Sequence, residues 1–144
     1  MKRSILLLCV LLCIILTGCS TNLTANLAPG ASFNELGKTY VVRFEPDERQ
    51  LHQKIADQLS LLGYPASAGE ERNIPADVDT LVTYQDNWQW DMSNYMIRIQ
   101  IQFRDGKTRE LIVSGESYRT SLARRSPEEM IRETLEEMMK KKQG

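Results

Sequence analysis

The chain has 144 residues, 42% of them hydrophobic and 26% charged, with a formal net charge of −1. That length fits one domain with a single core. The near-neutral charge excludes the basic character of a general nucleic-acid binder, so nucleic acid is not expected as a partner.

Lys2 and Arg3 open the chain, and an apolar run from Ile5 to Leu16 follows, broken only by Cys9 and Cys13. The run has the length of a signal-peptide core and is too short for a membrane-spanning helix of about 20 residues. It ends in Leu16-Thr17-Gly18-Cys19, an aliphatic residue, two small residues and a cysteine. This is a lipobox. Residues 1–18 are expected to leave as a lipoprotein leader, with cleavage after Gly18. The thiol of Cys19 is then acylated, and several buried acyl chains anchor a protein where one would not. Cys9 and Cys13 leave with the leader, so no cysteine remains for a disulfide, a metal or catalysis. Losing Lys2 and Arg3 leaves 16 basic against 19 acidic residues, a charge of about −3. Ser20 stands where an Asp would favour inner-membrane retention. The expected location is therefore the cell envelope, on the outer membrane facing the periplasm if the source is Gram-negative.

Residues 19–34 carry the lipidated Cys19 and a stretch of small, turn-forming residues that reads as a flexible tether, spanning on the order of 20 Å. Residues 35–144 form the domain. Thr39 to Phe44 is β-branched and aromatic and predicts a strand. Pro46-Asp47 stops it, with Asp47 as N-cap of a helix that carries Leu51, Ile55, Leu59 and Leu62 on one face. Gly63 ends that helix. Ser67 to Asp77 is polar and reads as a loop. Residues 78–90 alternate, placing Val78, Thr80, Val82, Tyr84, Asp86, Trp88 and Trp90 on one face. Residues 95–103 alternate with Tyr95, Ile97, Ile99, Ile101 and Phe103 inward and Met96 outward.

A strand over 107–118 follows. A three-residue loop at Arg104-Asp105-Gly106 would pair Ile99 with Leu111 and Ile97 with Val113, leaving Ile112 outside. Ser126-Pro127-Glu128-Glu129 is a capping box with Pro at the first helical position. Met130, Ile131, Thr134, Leu135 and Met138 line one face of that last helix. The order is β-α-β-β-β-α. It predicts an α+β domain with a mainly antiparallel four-stranded sheet and two helices packed on one face.

The segment Tyr84-Gln85-Asp86-Asn87-Trp88-Gln89-Trp90-Asp91-Met92, with Tyr95, Phe103-Arg104-Asp105 and Ser117-Tyr118-Arg119-Thr120-Ser121-Leu122, resembles a family of small bacterial lipoproteins catalogued as domain of unknown function 4136, or a close relative of it. The resemblance covers most of residues 30–140. It implies an envelope location and an α+β sandwich, and supplies no activity and no catalytic residues.

Tyr84, Trp88 and Trp90, with Tyr95 nearby, are candidates to line a cleft for a glycan or an acyl chain. The same residues serve equally as core beneath the helices. Asp86 on that face needs a hydrogen-bonding partner if buried. Arg119, Arg124 and Arg125, just before the last helix, are candidates to bind an anion such as a lipid phosphate. Solvated ion pairs are the plainer role for them. His52 is the only histidine, so no metal site is expected, and no cofactor. No catalytic residues are marked. The chain reads as a non-catalytic envelope lipoprotein, an assembly or interaction component with membrane lipid held through acylated Cys19 and an envelope protein as partner. The alternative is a ligand-binding module for a lipid or glycan. The second alternative, a hydrolase, would need Asp86, Asp91 and His52 close together.

Overall fold

The computed structural model describes residues 21–143. The leader and the lipidation site at Cys19 lie outside these residues. Among the described residues, six strands and two α-helices follow one another: β1 (Asn22–Leu27), β2 (Thr39–Val42), α1 (Leu51–Leu61), β3 (Ala66–Gly69), β4 (Thr80–Asp91), β5 (Ser93–Asp105), β6 (Leu111–Tyr118) and α2 (Pro127–Met139). The strands form one mixed sheet in the order β1-β6-β5-β4-β2-β3. β2 runs parallel to both β3 and β4, and the remaining pairs are antiparallel.

The domain is α+β, but the four-stranded, mainly antiparallel sheet expected from sequence is corrected to a six-stranded mixed one. β1 occupies residues read as tether. It pairs with β6 from Asn22↔Tyr118 to Leu27↔Val113. Only Ala25 of this strand is buried, with Leu27 partly packed on the core, so the backbone ladder does most to hold it. Phe33, also read as tether, is buried and meets Phe103 edge-on at 5.8 Å. β3 lies in the segment read as a polar loop. Its sequence Ala-Ser-Ala-Gly carries no apolar alternation, and it completes a parallel crossover β2-α1-β3. Gly69 has to be small, because a Cβ there would stand 2.5 Å from the Tyr40 hydroxyl.

Both helices cover one face of the sheet. α1 packs on β2 and β3, α2 packs on β1, β5 and β6, and the helices touch each other. α1 buries Leu51, Ile55, Ala56 and Leu59. Its N-cap is Gln50, in the left-handed conformation (φ 56°), and not Asp47. Asp47 still terminates the helix from outside, since its Oδ2 accepts from the Leu51 amide at 2.6 Å. α2 begins with the Ser126–Glu129 capping box and buries Met130, Ile131, Thr134, Leu135 and Met138, as the spacing predicts. It lies so close to β6 that a Cβ on Gly115 would stand 2.5 Å from Met138 Cγ.

Two register corrections move side chains between faces. A bulge interrupts β4–β5, with Asn87 opposite Arg98 but Trp88 opposite Met96. Ile97 is the extra residue. Met96 therefore turns into the core at 1% exposure, while Ile97 is only half-buried. The β5–β6 turn is longer than three residues. Asp105 pairs with Glu110 through its amide at 2.9 Å, and Phe103 stands opposite Val113. Ile99, Ile101 and Phe103 keep the expected face. A second bulge at Phe103/Arg104 lets Ile112 pack against the core instead of lying outside.

Candidate functional site

Tyr84 sits in the middle of β4, buried, with its hydroxyl reaching under the β2–α1 loop. It donates to Asp47 Oδ2 at 2.6 Å and accepts from the amides of His52 at 3.1 Å and Phe44 at 3.3 Å. Asp47 also accepts from the Arg49 amide at 2.7 Å. Burial acts to raise the Asp47 carboxyl, but the hydrogen bonds from Tyr84, Arg49 and Leu51, with the His52 ring facing it, outweigh burial and hold the group below the usual carboxylate range. Burial and the Asp47 carboxylate push the Tyr84 phenol well up, so it stays a donor. This knot ties the loop and the start of α1 to the sheet. It leaves Tyr84 no free polar atom to offer a ligand in a cleft.

The aromatic face changes character along the same strand. Trp88 is half-buried against the core, its indole N–H donating to Asp86 Oδ2 at 2.5 Å and the Arg49 guanidinium lying 4.0 Å over its ring. Trp88 is thus the partner that Asp86 requires. Trp90, two residues on, is 74% exposed. The hairpin turns at Met92, a non-glycine residue at φ 59° whose side chain is 92% exposed. Tyr95 is buried beneath Arg124, 4.1 Å over its ring. Tyr84, Trp88 and Trp90 therefore occupy three environments and do not form one cleft.

The three arginines are already paired. Arg119 makes a two-pronged contact with Glu133 of α2, at 3.1 and 2.5 Å, and Arg125 stands 3.8 Å from the same carboxylate. Arg124 donates to Asp91 Oδ2 at 2.8 Å, to the Asp91 carbonyl at 3.1 Å and to Ser93 Oγ at 3.0 Å. It also holds the Ser121 carbonyl at 3.1 Å. Arg124 thereby clamps the turn Ser121–Ala123 onto the end of the β4–β5 hairpin, where Leu122 is 85% exposed. Charge-assisted contacts of this kind are short and directional. An anion would have to displace Glu133 or Asp91 to reach these guanidinium groups.

The two candidate carboxylates lie apart. Asp86 and Asp91 are separated by five positions of one strand, roughly 16 Å at about 3.3 Å per residue. His52 faces Asp47, with Nδ1 3.5 Å from Oδ2. Paired-carboxylate hydrolysis needs a separation of about 5–10 Å.

Sequence reasoning missed Met92, Leu122 and Glu133. The tip carries no turn-forming glycine to mark it, and Glu133 is separated from Arg119 by a loop and a helical turn. Also unmarked is a groove on the sheet face opposite the helices. It has a volume of about 300 Å³ and is lined by Phe44, Thr83, Gln85, Gln100, Gln102 and Arg104 with Tyr84.

No family model matches the chain, and no curated protein matches it. Solved structures do. The fold is similar to that of PelC from Paraburkholderia phytofirmans, a dodecamer, at 12% identity and a TM-score of 0.61, over 86% of this chain and 100% of that one. A point variant of the same PelC, also a dodecamer, gives 13% identity and a TM-score of 0.60, over 87% and 100%. At this identity the likeness shows a common fold.

Proposed function

We propose that this protein is a lipid-anchored envelope lipoprotein that acts through protein contacts, as a non-catalytic assembly component on the periplasmic side of the outer membrane. The observation that carries this reading is the place of the lipobox. Cys19 stands three residues before Asn22, the first residue of β1, and β1 is an edge of the sheet with one side unpaired. An unpaired edge is a template for another chain. Held at a membrane, copies of the protein are concentrated in two dimensions, and weak edge contacts become effective. The dodecameric state of the PelC structures makes a second copy of this chain the first partner to test.

The test is in-cell cross-linking of the full-length protein, followed by affinity purification and mass spectrometry, with Arg119→Ala and Trp90→Ala beside it. A ladder of self-adducts, or one specific envelope protein, supports the reading. A monomer with no enriched protein and a retained lipid or glycan would replace it with a ligand-binding module.

A further inference from the structure

The register of the sheet fixes the level at which the chain following the lipobox enters it. Asn22 lies opposite Tyr118, Tyr118 opposite Arg98, and Arg98 opposite Asn87. The chain thus enters the sheet level with Asn87, running in from the end at which the β4–β5 hairpin turns. Two residues, Ser20 and Thr21, separate Cys19 from Asn22, a reach of roughly 10 Å of extended chain from that level. Five residues carry β4 from Asn87 to Met92, roughly 16 Å in the same direction. A chain of that reach leaves the proposed anchor at the hairpin-tip end of the sheet, and the tip extends at least as far as the anchor can.

The chemistry of the tip matches that plane. Five large apolar side chains stand out as exposed among the described residues, namely Leu23, Leu61, Trp90, Met92 and Leu122. Three of them, Trp90, Met92 and Leu122, belong to the hairpin tip and the turn clamped to it by Arg124. Leu61 ends α1, which runs back toward the start of β2, the opposite end. The tip is held rigidly, since Arg124 binds Asp91, Ser93 and the Ser121 carbonyl at once. Its turn residue is a methionine in the left-handed conformation, where glycine or asparagine fits without strain. Tryptophan beside exposed aliphatic side chains is the composition that settles at the boundary between headgroups and acyl chains.

We infer that the β4–β5 hairpin tip is a second, non-covalent membrane contact, in which Trp90, Met92 and Leu122 enter the lipid interface beside the acylated Cys19. The inference rests on the lipid-anchor reading above and adds an orientation to it. The sheet stands on end at the membrane, with α1's C-terminal end directed away.

The chain has two tryptophans, so Trp88→Phe leaves Trp90 as the sole indole and Trp90→Phe leaves Trp88. Each purified lipoprotein is reconstituted into phosphatidylcholine vesicles with brominated acyl chains, and intact mass reads the lipid on Cys19 in the same sample. Trp90 fluorescence is expected to fall about twofold or more on contact with the brominated lipid, while Trp88, covered by Arg49, changes far less. In a parallel sample, Met92→Cys carries the one free thiol of the processed chain and takes an environment-sensitive dye, which reports the tip without touching Trp88. A blue-shifted, lipid-quenched dye supports the contact. Cys19 lipidated with both Trp90 and the dye in water overturns the inference and leaves the anchor standing. Cys19 without lipid overturns the anchor reading, and this inference with it.

Discussion

The two halves of β4 share one strand and one alternation, yet they are built for different surroundings. From Thr80 to Tyr84 the residues are buried except for the half-buried Thr83, with helices over one face and neighbouring strands on both sides. From Asn87 to Asp91 only Trp88 keeps partial cover, and Trp90 projects at 74% exposure. Alternation says which face a side chain takes. It does not say whether a helix lies over that part of the face. α1 starts at Leu51, tied to Tyr84 through Asp47, and Arg49 in the loop before it is the last residue to cover the aromatic row. Beyond that point an inward-facing residue meets solvent. The first half of β4 therefore carries stability, and the second half is free to carry contact.

The largest effect expected from this contrast lies in the covered half. Phe103, paired with Val82 and edge-on to Phe33, is completely buried. Phe103→Ala is expected to cost about 3–5 kcal/mol in chemical denaturation. Trp90→Ala is expected to change stability by less than about 0.5 kcal/mol. Equal effects at the two positions would erase the distinction between the halves.

Next in size is the knot that ends the covered half. Asp47→Ala leaves the Tyr84 hydroxyl and the Arg49 and Leu51 amides without their acceptor. A loss on the order of 3 kcal/mol is expected. The pH dependence carries a definite sign. The folded-state Asp47 carboxyl is held below its ordinary value, so its stabilisation is complete above the unfolded pKa of about 4. It is lost as the pH falls through the lower folded value. Thermal unfolding followed from pH 6 downward is expected to show a steeper acid decline in the native chain than in Asp47→Asn. Parallel declines would remove Asp47 as the source.

How much of this was legible in the sequence depends on how local each signal is. The second helix was readable because its cap, its proline and its apolar face all lie within a few residues of one another. β1 and β3 were not, since Asn-Leu-Thr-Ala-Asn-Leu and Ala-Ser-Ala-Gly owe their strands to ladders with β6 and β2, far off in the chain. The Asp-Gly pair at 105–106 suggested a tight turn. Asp105 instead accepts from the amides of Lys107 and Thr108, each at 2.8 Å, and stretches the loop. One extra residue at Ile97 exchanged Met96 for Ile97 in the core, which alternation cannot anticipate. Of the candidate site, the aromatic and arginine residues were visible by type. Their partners Asp47, Arg49, Asp91 and Glu133 were set by topology.

A smaller effect probes how closely the second helix fits the sheet. Gly115→Ala would place a methyl 2.5 Å from Met138 Cγ and 2.9 Å from Thr134 Cγ2. Both belong to a packed helix, and a loss of about 1–3 kcal/mol is expected from overpacking. Gly63→Ala tests the other kind of glycine. Its φ of 88° carries the strain, while nothing stands within 4 Å of an added Cβ. The expected loss is about 1 kcal/mol, from backbone strain alone.

The smallest effect on stability falls at the hairpin tip and bears most directly on its role. Met92 holds a left-handed conformation without a glycine's freedom, a cost of roughly 1–2 kcal/mol. Its exposed side chain gives nothing back in packing. Met92→Gly removes that strain but frees the unfolded backbone further, so the net gain expected is below about 1 kcal/mol. A tip selected only for folding would tolerate this exchange without any other consequence. If the hairpin meets lipid, Met92→Gly keeps or raises the unfolding midpoint while Trp90 quenching by brominated lipid falls. Stability and contact then move in opposite directions at one residue. A variant that gains stability and keeps its full quenching would place the contact on Trp90 and Leu122 alone.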